Sequence, residues 1–460
     1  MKSIAALIAV CTLALASGVL SVQGQTNTEK YVSREDYLKL KDDHDRLKQE
    51  LEAMKGQMQE FLKKAAMTDS EAVKAQLQDF QKKEAARQAE TDQALDDLEK
   101  RLNETKQMAK NSFPGSTKPL LTGYGAAGFI AQDHGGDRKF YATFNPIFLW
   151  KLSDRLLFEG ELEAQLEGHN TGVALEIAQA SYLLNDYMTI GAGKFLNPMN
   201  YFVERQHMGW VNKLPDKPLA VYDGLLSEAN VGFQIRSGIP VGRTKFGYAV
   251  YVANAPELRM DTNSVTGSDL GTLEFNNFDN VGKHIAVGGR VGFYPIPELE
   301  IGYGFQYADV TPPDSGSKAN SFLQSVDLSY VRESERLKGI VNLKAQWVWS
   351  HVDGFTYDPG ATVGGPFNFS NNRNGGYVQL AFRPTRVGNA YIKNIEPVFR
   401  YDMLNQSQTL AGVDETRYTI GLNYWLSPSA VFKTAYEFDH QSGLNAARHD
   451  AVLVQFVVGF

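Results

Sequence analysis

From residue 120 to the end of the chain, apolar and polar residues alternate in short segments. A period of two places successive side chains on opposite faces of a β-strand. Such segments begin near residues 120, 140, 155, 173, 187, 230, 245, 284, 298, 321, 338, 376, 394, 416, 431 and 450. We therefore predict an all-β region over residues 120–460.

The connections between these segments have two lengths. Those after even-numbered segments are mostly short, such as LSDR, VGRT and PIPE, whereas those after odd-numbered segments include much longer stretches. Short turns at one end and long loops at the other are typical of transmembrane β-barrels with an even strand number. The fold class that we predict is all-β, a transmembrane antiparallel β-barrel of about 16 strands. The connection RPTRVGNAYIKN breaks the pattern and allows for a miscounted pair.

The last ten residues, AVLVQFVVGF, alternate up to the final position. One face of this strand carries Val452, Val454, Phe456, Val458 and Phe460. An apolar face at a chain end needs a core or a bilayer to cover it, and a closing strand that faces lipid meets this need. The pattern resembles the C-terminal signature of bacterial outer-membrane barrels, which ends in an aromatic residue. That resemblance implies that these five residues form a signal read by the barrel-assembly machinery.

Aromatic residues near the segment ends suit the two interfacial girdles of a membrane barrel, which would contact outer-membrane lipid. Examples are Tyr124, Trp150, Trp349 and Trp425. The alternative is ordinary β-propensity, because aromatic residues favour any strand. The mean hydropathy of −0.32 is compatible with a barrel, since every second strand residue faces water.

The chain begins with a charged residue, Lys2, an apolar run over residues 4–20, and a small-residue stretch ending at Gly24. This pattern predicts a secretory signal peptide over residues 1–24. An uncleaved membrane helix is the less favoured alternative, since it needs about 20 apolar residues. The single cysteine, Cys11, lies inside the apolar run, so the exported protein belongs outside the disulfide-stapled class.

Residues 25–112 show a helical period instead. Apolar positions recur with alternating steps of three and four, at Tyr37, Leu40, His44, Leu47, Leu51, Met54, Met58, Phe61 and Ala65. This seam predicts an α-helical coiled coil, in which His44 would act as a polar register device. The alternative is one amphipathic helix lying on the barrel, but the seam is narrow. Pro114 and Gly115 mark a linker over residues 113–119.

The strand parity also predicts which charged residues face the lumen. The segment RLLFEGELEAQLEG sends its leucines outward and its glutamates inward. The ten predicted inward acids are Glu159, Glu161, Glu163, Glu167, Glu300, Asp327, Glu396, Asp402, Glu437 and Asp439. The six predicted inward bases are Arg236, Arg290, Lys344, Arg383, Arg400 and Lys433. Charges of both signs indicate a wet channel with an acidic excess, although a polar interior is generic to such barrels.

The long connection GKFLNPMNYFVERQHMGWVNKLPDKPLA carries charged, aromatic and proline residues, so we expect it to be ordered. If it folds inward it forms a constriction; the alternative is an external cap held by Tyr201 and Trp210. The candidate pore and constriction residues are Glu159, Glu161, Glu163, Glu204, Arg205, His207, Lys213, Arg236, Arg290, Lys344 and Arg400.

Other functional classes lack support in the sequence. The paired carboxylates lie along one strand, without the convergent nucleophile, base and orienting group that catalysis requires. The eight histidines show no metal-binding spacing, so neither a metal nor a cofactor is expected. The formal net charge of −7, without a strongly basic segment, argues against nucleic acid as a partner.

Signal peptide, coiled coil, linker and barrel together resemble the coiled-coil-bearing trimeric porins. The stretch GAGKFLNPMNYFVERQ also resembles the G-x-F-x-x-P region of the phosphate-selective porin O and P family. These resemblances imply an outer-membrane porin, trimeric through a periplasmic coil, that passes small polar solutes. Members selective for phosphate line their path with Arg and Lys, whereas this lumen has an acidic excess. Anion uptake (phosphate or dicarboxylate) and a tethering protein anchored by its barrel are the alternatives.

The coiled coil yields a direct prediction. Deleting residues 25–112 should convert a trimer into monomers, because the heptad seam would supply the contacts between copies. The molecular mass of the purified protein in detergent measures this. An unchanged oligomer would show that the barrels associate without the coil.

Overall fold

The computed structural model describes residues 119–460 except 134–135, 137, 168–169, 223, 261–269, 281, 314–316, 358–366, 407–412 and 444–447. It also describes five separate N-terminal positions, all helical and exposed: Lys82, Ala85, Asp96, Lys100 and Asn103. The predicted signal peptide, most of the coiled-coil region and most of the linker lie outside the described residues, so those assignments stay predictions.

The described part of the chain is mainly β-structure. The strands, in chain order, are β1 Leu120–Gln132, β2 Arg138–Lys151, β3 Leu156–Glu167, β4 Asn170–Asn185, β5 Met188–Leu196, β6 Ala229–Val241, β7 Thr244–Asn254, β8 Glu257–Leu258, β9 Leu273–Glu274, β10 Ile285–Ile296, β11 Leu299–Asp309, β12 Asn320–Ser334, β13 Gly339–Tyr357, β14 Phe367–Arg383, β15 Ile395–Asn405, β16 Asp414–Ser427, β17 Ala430–Ser442 and β18 Ala451–Gly459.

Sixteen of these strands form a closed antiparallel barrel, in which each strand pairs with its neighbours in sequence and β18 pairs with β1. The strands β8 and β9 form a separate two-stranded sheet in the connection between β7 and β10. The sixteen-stranded antiparallel barrel predicted from the alternation is confirmed. Closure pairs the wall backbone groups within the sheet, which removes free edges.

One strand start differs clearly from the prediction. Strand β14 begins at Phe367 rather than near residue 376, and its first residues pair with the end of β13, where Tyr357 lies opposite Phe367. The stretch SNNRNGG within β14 is polar and glycine-rich, so it carries little apolar alternation. The start of β14 is therefore set by its pairing with the long strand β13 and not by local strand propensity.

The exceptional connection between β14 and β15 is a long turn. It contains a 3₁₀ turn, Ile392–Asn394, and Asn389 Oδ1 accepts hydrogen bonds from the backbone N–H groups of Tyr391 and Ile392. The described residues between these two strands contain no additional strand. Two short helices, α1 Tyr201–Gln206 and α2 Leu219–Tyr222, lie between β5 and β6. Within the described ranges, no helix has the length and apolar character to span a membrane.

The outer face of the barrel is apolar. In β11 the side chains of Ile301, Tyr303 and Phe305 are exposed, while the residues between them are buried on the inner side. An exposed apolar surface around a closed wall suits contact with lipid. The aromatic residues divide by parity: Trp150 and Trp349 face outward, but Tyr124 and Trp425 do not.

Two of the predicted girdle residues, Tyr124 and Trp425, are buried on the inner side of the wall. The edge of the Trp210 ring contacts Tyr124 at a centroid distance of 5.3 Å, and Trp425 Nε1 donates to Glu396 at 2.9 Å. Their assignment to lipid contact was wrong because nearness to a strand end does not determine the face. Parity along the strand does.

Strand β18 places its predicted apolar row on the outer face, where Val452, Phe456, Val458 and Phe460 are exposed. Val454 is partly exposed on the same face. Phe460 N donates to Gly123 O at 3.0 Å, and Gly123 N donates to Phe460 O at 3.2 Å. The Phe460 ring stacks on that of Phe144 with centroids 5.7 Å apart. The last residue therefore contributes to the seam between β18 and β1.

Removal of Phe460 should reduce the amount of folded barrel several-fold, because it deletes two backbone hydrogen bonds at the closing seam and one outward aromatic ring. Heat-modifiable protein in outer-membrane fractions measures the folded yield. The variant Phe460→Tyr keeps both features and should fold normally. Normal yield without Phe460 would contradict the proposed assembly signal.

Candidate functional site in the barrel lumen

The connection between β5 and β6, residues 197–228, lies inside the barrel; we call it the lumen loop. Hydrogen bonds join its two ends, since Asn197 N donates to Glu228 O at 2.9 Å and Asn197 Nδ2 donates to Ser227 Oγ at 2.8 Å. Asn200 caps α1 and also donates from Nδ2 to Ser227 O at 3.3 Å. The base of the loop is thereby closed next to the wall.

The first half of the lumen loop is anchored on β12, β13 and β14. Met199 O accepts hydrogen bonds from Ser325 Oγ at 3.2 Å and from Gln346 Nε2 at 2.8 Å. Phe202 is fully buried, and its ring meets that of Tyr377 edge-on with centroids 5.9 Å apart. These contacts place the loop against inward wall residues, and the expectation of an external cap does not match this placement.

The middle of the lumen loop, residues 209–217, is held by basic residues of β15 and β17. Arg400 on β15 donates to Asp216 O at 2.9 Å and to Lys217 O at 3.1 Å. Lys433 on β17 donates to Gly209 O at 2.5 Å. Both side chains are almost completely buried. Because loop carbonyls occupy their donors, these two cations hold the loop in place and do not face an open lumen.

A dense ionic network surrounds Arg400. Its Nε donates to Asp402 at 2.7 Å, and Glu437 lies 3.9 Å away. Arg417 on β16 joins the same network through Asp216 and Asp439, at 3.0 and 2.9 Å. The sequence analysis missed Arg417, although it shares the inward parity of Thr419 and Asn423. Five carboxylates, including Glu415 at 2.9 Å from Arg417, thereby share two guanidinium groups.

A second ionic group lies on β10, β11 and β12. Arg290 donates to both oxygens of Asp327, at 2.8 and 2.6 Å, and to Glu300 at 2.8 Å. Its guanidinium carbon also lies 5.3 Å from the centroid of the Tyr201 ring. Lys344 on β13 donates to Tyr201 Oη at 3.2 Å. Two predicted pore residues, Arg290 and Lys344, therefore contact the lumen loop through one tyrosine.

The remaining predicted loop residues lie in two places. Glu204 contacts Arg236 of β6 and lies 3.5 Å from Arg205, whose side chain is exposed. Lys213 pairs with Glu396 at 2.9 Å and sits over the Trp425 ring at 5.0 Å. Lys213 is thus brought close to β15 and β16, away from the predicted acidic row on β3.

The acidic row on β3 differs from the other ionic groups. Glu161 is 1% exposed and lies 3.3 Å from His207 Nε2 of the lumen loop. Glu159 and Glu163 are partly exposed, and neither forms an ion pair with another residue in the described part of the chain. The side chain of Glu167 lies outside the described residues. Among the described residues, the three carboxylates Glu159, Glu161 and Glu163 thus form a single ion pair, that of Glu161 with His207.

His207 couples the lumen loop to the acidic row. Burial alone lowers the pKa of His207, but the hydrogen bond and charge of Glu161, with the Val203 carbonyl, raise it above its ordinary value of about 6.5. A raised pKa in the folded state means that the protonated pair stabilises the loop fully below that ordinary value. This contribution is lost as the pH rises through the folded-state pKa.

Among the described residues, no group of three or more His, Cys, Asp or Glu side chains is arranged to hold a metal ion. The lumen residues instead form salt bridges and hydrogen bonds that fix a loop and leave one charged wall. Such an arrangement can sort solutes by size and charge.

No protein-family model matches this chain, and no curated protein matches it. Among solved structures, it is similar to OmpF of Salmonella typhi in complex with daunomycin, with 14% identity, 75% of this chain and 98% of that chain covered, and a TM-score of 0.49. An anion-selective porin from Comamonas acidovorans shows 14% identity, 75% and 99% coverage, and a TM-score of 0.48.

The outer membrane channel DcaP of Acinetobacter baumannii is also similar, with 12% identity, 75% and 97% coverage, and a TM-score of 0.45. All these identities are low. A function for this chain must therefore rest on its own residues.

The His207–Glu161 pair predicts a pH-dependent selectivity. Raising the pH from about 6 to about 9 should increase any preference for cations, because deprotonation of His207 leaves the Glu161 charge uncompensated. Reversal potentials across a salt gradient measure the change. The variant His207→Gln should lose most of it, whereas His351→Gln, at an exposed histidine of β13, should keep it. Equal pH dependence in His207→Gln would contradict this assignment.

Proposed function

We propose that this protein is a bacterial outer-membrane porin that passes small polar solutes by diffusion, with a mild preference for cations. The closed wall, the apolar outer face and the charged inner face support a channel in a membrane. Sixteen strands enclose more space than side chains alone fill, which favours a channel over a barrel that serves only as an anchor. We place the predicted coiled coil in the periplasm as the trimerising element.

The charge of the accessible wall is the observation that carries the cation preference. Glu159 and Glu163 keep partial exposure without an ion-pair partner among the described residues. Carboxylates on a narrow wall raise the local concentration of cations and lower that of anions. The exposed base Arg205 and the pair of Arg236 with Glu204 moderate this effect.

The alternative of phosphate or dicarboxylate uptake needs basic side chains that a solute can reach. Arg290 is bound by Asp327 and Glu300, Arg400 by Asp402 and loop carbonyls, and Lys433 by loop carbonyls. Bases engaged in this way have few donors left for a passing anion. The arrangement therefore favours the cation-preferring channel over the anion channel.

The acidic row gives the test of selectivity. Replacing Glu159, Glu161 and Glu163 together with Gln should remove about half or more of the cation preference, because the size is kept and three wall charges are lost. Reversal potentials of single channels in planar bilayers measure it. The preference of the unmodified channel should also shrink with added salt, since screening acts over about 8 Å at physiological ionic strength.

Matched substitutions by Gln of Glu333, at the end of β12, and of Glu335, in the turn that follows, serve as the control and should leave the preference unchanged. A strongly anion-selective unmodified channel would overturn the proposal. The residues to test next would then be Arg205, Lys213 and Arg236. A protein that forms no channel would favour the tethering function instead.

A further inference from the structure

Two acceptor oxygens are buried without a hydrogen-bond partner on the inner face of β2 and β3. Asn145 and Glu161 are each 1% exposed, and within the described residues neither Asn145 Oδ1 nor Glu161 Oε1 has a partner. The other oxygen of Glu161 is occupied by His207. A buried acceptor without a donor costs about 1–3 kcal/mol, and more when it is charged. A donor group bound at this place would remove that cost.

The strand register places a third acceptor residue, Glu163, beside Asn145 and Glu161. Phe144 lies opposite Ala164 and Ile147 lies opposite Glu161, so Asn145 lies beside the Glu161–Glu163 stretch. Along β2 and β3, every second residue faces inward. Inward residues that are directly opposed or diagonal on neighbouring strands are about 5–8 Å apart. Asn145 is therefore flanked by two carboxylates on the inner face.

Aromatic groups lie next to these three acceptor residues. Tyr124 of β1 lies directly opposite Asn145 in the register and is buried on the inner side. The Trp210 ring of the lumen loop contacts Tyr124 edge-on. Of the three acceptor residues only Glu163 is partly exposed, so a solute would reach this place, which we call the recess, from the side of Glu163. The recess thus combines two carboxylates, an amide oxygen and two aromatic rings.

We propose that this recess, formed by Asn145, Glu161 and Glu163 with Tyr124 and Trp210, is a binding subsite for the primary ammonium group of an organic cation in transit. The inference rests on the proposed channel and names a class of solute for it. A primary ammonium group carries three N–H donors on one centre, which matches separate acceptors on two strands. The aromatic rings add attraction for a cation through their faces.

Other cations fit this recess less well. A quaternary ammonium ion has the same charge but no N–H donor, so it leaves both buried oxygens without a hydrogen bond. A tightly coordinated metal requires several ligands at short distances, and no cluster of three such side chains occurs in the described ranges. The acceptors therefore select for N–H donors in addition to positive charge.

Equilibrium dialysis of the purified full-length protein in detergent tests the subsite with two labelled probes, 1,5-diaminopentane and tetramethylammonium. Saturable binding of the diamine, well above that of tetramethylammonium, is expected. Glu161→Gln should weaken the binding of the diamine about tenfold or more, because it removes the negative charge, and Asn145→Leu should weaken it several-fold, because it removes one acceptor. Binding of tetramethylammonium should change little in Asn145→Leu.

A matched control is Gln379→Leu on β14. Gln379 is likewise buried with an unpartnered amide oxygen, but its neighbours in the register are Lys344 and Arg400. This variant should bind the diamine as the unmodified protein does. Heat-modifiability of each variant verifies that the barrel is folded, and Asn145→Ser provides a smaller change that retains an acceptor if Asn145→Leu fails to fold.

Absence of saturable diamine binding, or equal weakening by Gln379→Leu, would overturn the subsite and indicate that water alone satisfies the two oxygens. Planar-bilayer recording separates this result from a failure of the proposed function. Conductance without diamine binding refutes only the subsite. Diamine binding without conductance refutes the channel and leaves the subsite standing.

Discussion

The β-sheet closes on itself, and this closure governs both faces of the wall. A wall in contact with lipid must satisfy its backbone groups internally, and β18 does so by pairing with β1 and β17. Closure then fixes one inner and one outer face for every strand. The apolar residues of one parity face outward, and the polar and charged residues of the other parity share a confined interior.

That confined interior is filled largely by contacts to the lumen loop. Charged groups in a small volume are costly unless they are paired and hydrogen-bonded. Arg400 and Lys433 meet this requirement by donating to backbone carbonyls of the loop, and Arg290 by binding two carboxylates. The same interactions position the loop. The interactions that pair these buried bases are therefore also the interactions that order the loop.

The acidic wall of β3 is where this pairing is incomplete. His207 compensates one oxygen of Glu161, while Glu159 and Glu163 remain without ion pairs among the described residues. Uncompensated carboxylates are tolerated where water and passing cations can reach them. Glu159 and Glu163 combine partial exposure with the lack of an ion pair among the described residues, which gives the channel proposal its physical basis.

Alternation along the chain was enough to predict the barrel, its sixteen strands and the inward parity of the acidic row, because the two faces of a strand follow from local sequence alone. The sequence also singled out the lumen loop from its length and composition. It could not determine that Tyr124 and Trp425 face inward, that β14 starts at Phe367, or that Arg417 joins Arg400. Nor could it distinguish bases that hold the loop from bases that face a solute. Those outcomes depend on which strands become neighbours and where the loop carbonyls fall, and only the closed tertiary structure sets those distances.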